Sequence, residues 1–322
     1  MFKIKYTFTL DTKKYLNQLR EIFGKKIIDN KYLFYPERIG QGYNYFIEVM
    51  PGVAIMLMNA DIKVQVEVAR YPTEEDLFIL HYDLSDEIIL LDVDNKSNKI
   101  GYKVNLGFAL MDSNASSTLK TPVDSSFFAL RLIVSKDFIY KYMGNAFLSE
   151  KNKQYYFHDH IDSNSILLIK SLKERNIFDD SFDFYLKGVA LELLANFMER
   201  YSVKKNQPYK ILQIELDSIE QTKLFLLDNL YGSFPSITFL AEMAGMSESK
   251  YKSLFKNIYQ ISPMKFFIRE KMLVAGKLLG SGSLKASAIA KMLNYSSFSQ
   301  FSNHYLSIFG YKPSEGFIKK KS

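Results

Sequence analysis

At 322 residues with 47% hydrophobic side chains, the chain is long enough for two or more cored domains and too apolar for global disorder. It contains no cysteine, which excludes disulfides and thiolate zinc sites, and no stretch approaches the ~20 apolar residues of a membrane span. The net charge of +7 is unevenly placed: residues 218–322 carry fourteen Lys/Arg against six Asp/Glu, whereas the rest holds 28 basic and 29 acidic residues. A basic segment of that kind suits a polyanion, because neutralised phosphates release counterions. On charge alone, a merely solvated basic face is the alternative.

Met1–Lys5 lacks the apolar run of a signal peptide, so a cytoplasmic location is expected. Residues 1–38 are mixed in pattern, with a short helix predicted over Lys13–Phe23. From about Tyr43 to Val134, short β-branched and aromatic runs alternate with turn residues. Strands are predicted at Phe46–Met50, Val53–Met58, Ile62–Val68, Leu77–Tyr82, Glu87–Val93, Lys99–Phe108 and Phe127–Val134. Asp94–Asn98 is predicted to be a hairpin loop. This spacing predicts a small β-rich barrel, cupin-like or jelly-roll-like.

Helical periodicity follows at Ser135–Met143, Ser163–Arg175 and Asp183–Tyr201. The third helix has an apolar stripe that includes Leu186, Val189, Leu193 and Phe197. Packing on the molecule's own sheet and a homodimer interface are both open readings of it. The polar run from Val203 to Tyr209 begins a linker. The predicted boundaries are 1–155 for the β-rich effector-binding or regulatory domain, 156–203 for the helical, dimerising segment, 204–217 for the linker and 218–322 for an all-α domain. The expected fold class is therefore α+β.

The all-α region contains a repeat. Leu240–Ser247, Tyr251, Phe255, Tyr259 and Pro263 recur as Ile289–Ser296, Phe301, Tyr305, Phe309 and Pro313. The offset is 49 up to the serines and 50 beyond them. Small Ala241 and Ala290 allow close helix crossing. Gly245 and Asn294 suit a left-handed turn. Ser247 and Ser296 suit the N-cap of the following helix. Each unit is a helix, a tight turn and a second helix, the form that enters a major groove. Ser262-Pro263 starts a connector helix that Gly280 or Gly282 ends.

The segment from Ile219 to Phe317 resembles the AraC family of bacterial transcription regulators. The resemblance runs through Leu240–Ser247, Leu254–Lys256, Ile261–Pro263, Lys277–Leu279, Ile289-Ala290 and Phe309–Glu315. It implies double-stranded operator DNA as partner, with Ser249, Lys250, Lys252, Ser253 and Lys256 on the first recognition helix. Ser299, Gln300, Asn303 and His304 are the counterparts on the second. Gln and Asn can bind adenine bidentately and Lys can approach guanine. Family members commonly carry Arg where Asn303 stands and Lys where Leu306 stands, so the second unit is expected to bind less tightly.

The resemblance also implies that the N-terminal barrel binds a small effector and that the protein is a homodimer; RNA polymerase is a partner in the alternative reading, in which the barrel binds no ligand. Arg70, His81, Tyr43 and Phe108 are the candidate ligand-binding residues, with core packing the alternative for each. His158-Asp159-His160 lacks an evident third metal ligand, so no metal and no cofactor is expected. With no P-loop, Rossmann fingerprint or nucleophile elbow, a regulator rather than an enzyme is expected. A DNA-binding regulator whose N-terminal domain serves only dimerisation or protein contacts is the alternative.

Overall fold

The computed structural model describes residues 1–93, 96–101, 107–143, 156–159, 161–173, 175–204 and 213–314. The chain divides into two compact units, Met1–Pro208 and Tyr209–Ser322.

The N-terminal unit contains β1 (Phe2–Thr7), α1 (Thr12–Phe23), β2 (Tyr32–Phe34), β3 (Gly40–Met50), β4 (Val53–Ile62), β5 (Val66–Tyr71), β6 (Leu77–Asp83), β7 (Ile89–Val93), β8 (Lys96–Ile100), β9 (Phe108–Asp112), β10 (Ser117–Thr121) and β11 (Ser125–Ser135). It continues with α2 (Lys136–Met143), β12 (Tyr156–Asp159), α3 (Ser163–Lys173) and α4 (Phe182–Lys204). One sheet has the order β1-β5-β10-β7-β8, and the other β12-β9-β6-β11-β4-β3-β2. Among the described residues every strand pairing is antiparallel except β1 with β5.

Alternation along the central strands explains the layering. In β4, Ala54, Met56 and Met58 enter a core shared by both sheets and α1, whereas Val53, Ile55 and Leu57 enter a second core under α2, α3 and α4. With both faces covered, such strands read as near-continuous apolar runs. The β-rich layer is thus two sheets packed face to face.

Several sequence expectations are corrected. The alternating run Ile62–Val68 is not one strand. Ile62 closes β4 in the larger sheet and Val66 opens β5 in the smaller, with the chain turning between them. Lys99–Phe108 is likewise divided, between the end of β8 and the start of β9. Lys96–Asn98, read as loop, belongs to β8 and pairs with β7; residues 94 and 95 lie outside the described set. The strands β1, β2, β10 and β12 were not anticipated, the last lying inside the segment expected to be helical. The stripe on α4 is spent at home: Leu186, Val189, Leu193 and Phe197 are all buried in the core under the larger sheet. What α4 leaves exposed is Phe184, Tyr185 and Leu191, together with Gly188, Glu192, Ala195 and Glu199. His160 lies outside the described residues, as does the side chain of His158.

The C-terminal unit contains α5 (Gln213–Asp228), α6 (Ile237–Met243), α7 (Glu248–Tyr259), α8 (Pro263–Gly280), α9 (Ala286–Met292) and α10 (Phe298–Phe309). Helix α5 begins inside the segment read as a linker. Two cores form. Leu240, Ala241, Tyr251, Phe255 and Phe266 belong to the first, and Met272, Ile289, Ala290, Phe301 and Tyr305 to the second. Helix α8 contributes to both.

Candidate functional site

The two helix-turn-helix units are built by the same local chemistry. Gly245 (φ 64°) and Asn294 (φ 59°) hold the left-handed turn position in each. Ser247 accepts a hydrogen bond from the Lys250 backbone N–H and caps α7, an arrangement worth about 1 kcal/mol. In the second unit the cap is Ser297, which accepts from the Gln300 N–H, and not Ser296 as expected. The extra residue in the second turn moves the cap by one, so the caps lie 50 apart while the turns lie 49 apart. Ser262 caps α8 with Pro263 in its first turn. Gly282 (φ 67°) stands in the left-handed conformation just beyond the end of that helix.

Burying Tyr251, Leu254, Phe255 and Ile258 fixes which face of α7 is free. Ser249, Lys250, Lys252, Ser253 and Lys256 are all exposed. The lysines are not equivalent. Lys250 Nζ lies 2.6 Å from Glu215 Oε1 on α5, so its charge is engaged within the domain. Glu248 is tied back to α6, accepting from the Thr238 hydroxyl at 2.6 Å.

In α10 the buried Phe301 and Tyr305 leave Ser299, Gln300 and Asn303 exposed, together with Leu306. His304 is half-buried and shares a hydrogen bond of 2.9 Å with the Tyr295 hydroxyl. Burial lowers its pKa, so the ring is a neutral group at the edge of this face. The exposed face of α7 is therefore lysine-rich, while that of α10 carries neutral polar groups.

The N-terminal unit contains a cavity of about 50 Å³ in the inter-sheet core. Ile4, Leu19, Phe23, Met58 and Val66 are among its apolar walls, and Tyr6, Tyr15, Tyr35, Asn44 and Arg131 form a polar end. Arg131 donates from Nε to His81 Nδ1 at 3.0 Å and from Nη1 to the Tyr6 hydroxyl. His81 Nε2 faces Asp83 Oδ2 at 3.4 Å. Burial, reinforced by the Arg131 charge, lowers the His81 pKa and keeps the imidazole a neutral acceptor. Burial pushes Tyr35 up to about 12 and raises Tyr15 well above the usual phenol range, so both phenols remain protonated donors. Asn44 Oδ1 is buried and has no partner among the described residues. Such an orphan costs about 1–3 kcal/mol until something donates to it.

Of the four ligand-binding residues expected from sequence, none lines this cavity. Arg70 lies between the sheets, donating to Ser117 Oγ and the Asp112 carbonyl and sitting 5.5 Å from the Phe8 ring centre. His81 is one residue removed, behind Arg131. Tyr43 and Phe108 pack in the other core, under α4. Arg131, Asn44 and Tyr15 had no local signal. Each sits in a strand or helix of ordinary pattern, and only sheet pairing brings them together.

Residues 240–317 match the family model described as "Helix-turn-helix domain". No curated protein matches the chain. Three solved structures illustrate the similarity. The DNA-binding domain of AdpA, solved with a target DNA, is 20% identical and covers 30% of this chain and 87% of that one, with a TM-score of 0.29. A probable AraC family transcriptional regulator from Rhodopseudomonas palustris CGA009 is 26% identical, covering 31% and 94%, with a TM-score of 0.29. Unsaturated fatty acid bound ToxT from Vibrio cholerae strain SCE256 is 14% identical, covering 81% and 94%, with a TM-score of 0.30. The match over 240–317 spans both helix-turn-helix units and the connector helix between them. The C-terminal domain of this chain is a helix-turn-helix domain of the AraC type.

Proposed function

We propose that this protein is a transcription regulator that reads a two-part operator through α7 and α10 and responds to a small molecule held in the N-terminal cavity. The DNA half of this reading is supported by two capped helices, each with one face buried and the other free and polar. Ser249, Lys252, Ser253 and Lys256 are the contacts of α7, with Lys250 at the margin. Ser299, Gln300 and Asn303 are those of α10, with His304 beside them.

The effector half rests on the cavity's chemistry. Its walls are apolar, and its single polar end offers the Arg131 guanidinium, tyrosine hydroxyls and the unsatisfied Asn44 carbonyl oxygen. Arg131 forms no ion pair among the described residues, so an anionic head group is favoured there. An apolar acid fits this description. A volume of about 50 Å³ is room for about three or four waters; a longer ligand has to displace part of the apolar wall. Thermal unfolding with short and medium-chain fatty acids tests the reading. A ligand at a hundredfold excess over Kd stabilises by about 2.7 kcal/mol. That gain should vanish in Arg131→Met and be absent with the matching alcohols. No shift with any acid refutes the effector reading.

One observation favours a second reading, in which the N-terminal unit makes protein contacts instead. Phe184 is 78% exposed and Leu191 47% exposed on the outer face of α4. A homodimer formed there should be broken by Leu191→Glu, read by sedimentation. A monomeric parent chain removes that reading.

A further inference from the structure

The two cores of the C-terminal unit meet at a lysine that the helix-turn-helix form does not require. Lys271 stands midway along α8 and is 5% exposed. Its Nζ donates to the Gly232 carbonyl at 2.7 Å and to the Leu293 carbonyl at 2.7 Å. Gly232 lies in the turn between α5 and α6, on the side of the first core. Leu293 caps α9, in the turn that leads into α10. The ammonium also sits 4.8 Å from the Phe267 ring centre and 5.4 Å from that of Tyr295. Tyr295 in turn shares its hydrogen bond with His304 on α10.

A second contact joins the same two turns: Asn294 Nδ2 donates to Ser233 Oγ at 2.9 Å. Burial of an ammonium with carbonyls as its partners is expensive, as the lowered pKa of Lys271 reflects. Methionine would fill the same space without that desolvation. What the ammonium adds is direction, since two short hydrogen bonds tie a turn of each core to one point on the shared helix.

We propose that Lys271, supported by Asn294, is the positioning residue that fixes α10 relative to α7 and thereby sets the half-site spacing the protein accepts. The proposal rests on the reading that both helices contact DNA. Inserting one base pair between half-sites displaces one from the other by about 3.4 Å and about 35°. A clasped pair of units cannot follow that displacement. An unclasped pair, joined through α8 alone, can.

The test uses the full-length protein and a duplex selected by it from a random-sequence library. Affinity is measured for that duplex, for a version with one base pair inserted between the half-sites, and for a probe carrying only the first half-site. The parent protein should lose at least tenfold on insertion. Lys271→Met should lose less than threefold while binding the single half-site as the parent does. Asn294→Gly keeps the left-handed backbone and removes the amide; it should fall between them, and it carries the comparison alone should Lys271→Met not fold. A parent-like insertion penalty in the folded variants overturns the proposal and leaves the two-helix reading intact. An equal loss on all three probes overturns it as well, since that is general destabilisation. A parent protein indifferent to insertion overturns the two-helix reading and the proposal with it.

Discussion

Lys250→Ala and Lys252→Ala should have unequal effects on DNA binding, although the two side chains stand on the same helix two residues apart. Lys252 is exposed and takes no part in an ion pair among the described residues, so its ammonium is available to a base edge or a phosphate. A good contact of that kind is worth about 1–3 kcal/mol, or about 5- to 160-fold in Kd. A loss greater than about tenfold is expected, and the slope of log K against log salt should flatten by about 0.9 if the contact is to phosphate. Lys250 is held 2.6 Å from Glu215. Its charge acts on the duplex through solvent. At about 10 Å and one Debye length, one charge contributes only a few tenths of a kcal/mol, less than about twofold. Fluorescence anisotropy with the selected duplex, at fixed salt and between about 50 and 200 mM, measures both quantities. Equal losses for the two variants refute the argument from the Glu215 contact. An unchanged affinity in Lys252→Ala refutes the assignment of α7 to the groove.

The neutral face of α10 makes a complementary prediction: Asn303→Arg should tighten binding and steepen the salt slope by about 0.9, with no change in either result counting against α10 as a DNA contact. Stability should fall as pH drops below about 6.5, because unfolded His81 takes up a proton there that the folded, buried ring resists until lower pH. His304 acts in the same direction. Denaturant titrations from pH 8 to 5 should show a shallower decline for His81→Gln, which keeps an acceptor for Arg131; a parent-like slope removes His81 as the cause. Gly245→Ala should cost only about 1 kcal/mol, a backbone cost, because a Cβ there meets nothing within 4 Å. A loss of several kcal/mol in calorimetry would show that the turn is packed more tightly than this geometry indicates.

Local rules made the C-terminal domain legible. Capping, left-handed turn residues and the four-residue spacing of Tyr251 with Phe255 and of Phe301 with Tyr305 act within a few residues of each other, so the repeat in the sequence carried the repeat in space. The cap at Ser297, where the repeat predicts Ser296, is a one-residue difference inside a turn that carries an extra residue. The N-terminal unit was legible only as β-rich. Whether Ile62–Val68 is one strand or a crossing between sheets depends on which partner each half finds, and no residue in the run encodes that partner. The same limit hid the cavity. Arg131, Asn44, Tyr15 and Tyr6 come from β11, β3, α1 and β1, far apart in the chain.

The sequence by itself determined that the last third of the protein is two helix-turn-helix units with unequal charge, because helix signals are short-range and charge is additive. Only the tertiary structure decided that Lys250 is engaged by Glu215, that the Leu186–Phe197 stripe is consumed by its own sheet, and that Lys271 ties the two units together. Each of these depends on a contact between segments distant in sequence. Such contacts are set by how whole elements pack, and a linear pattern does not record them.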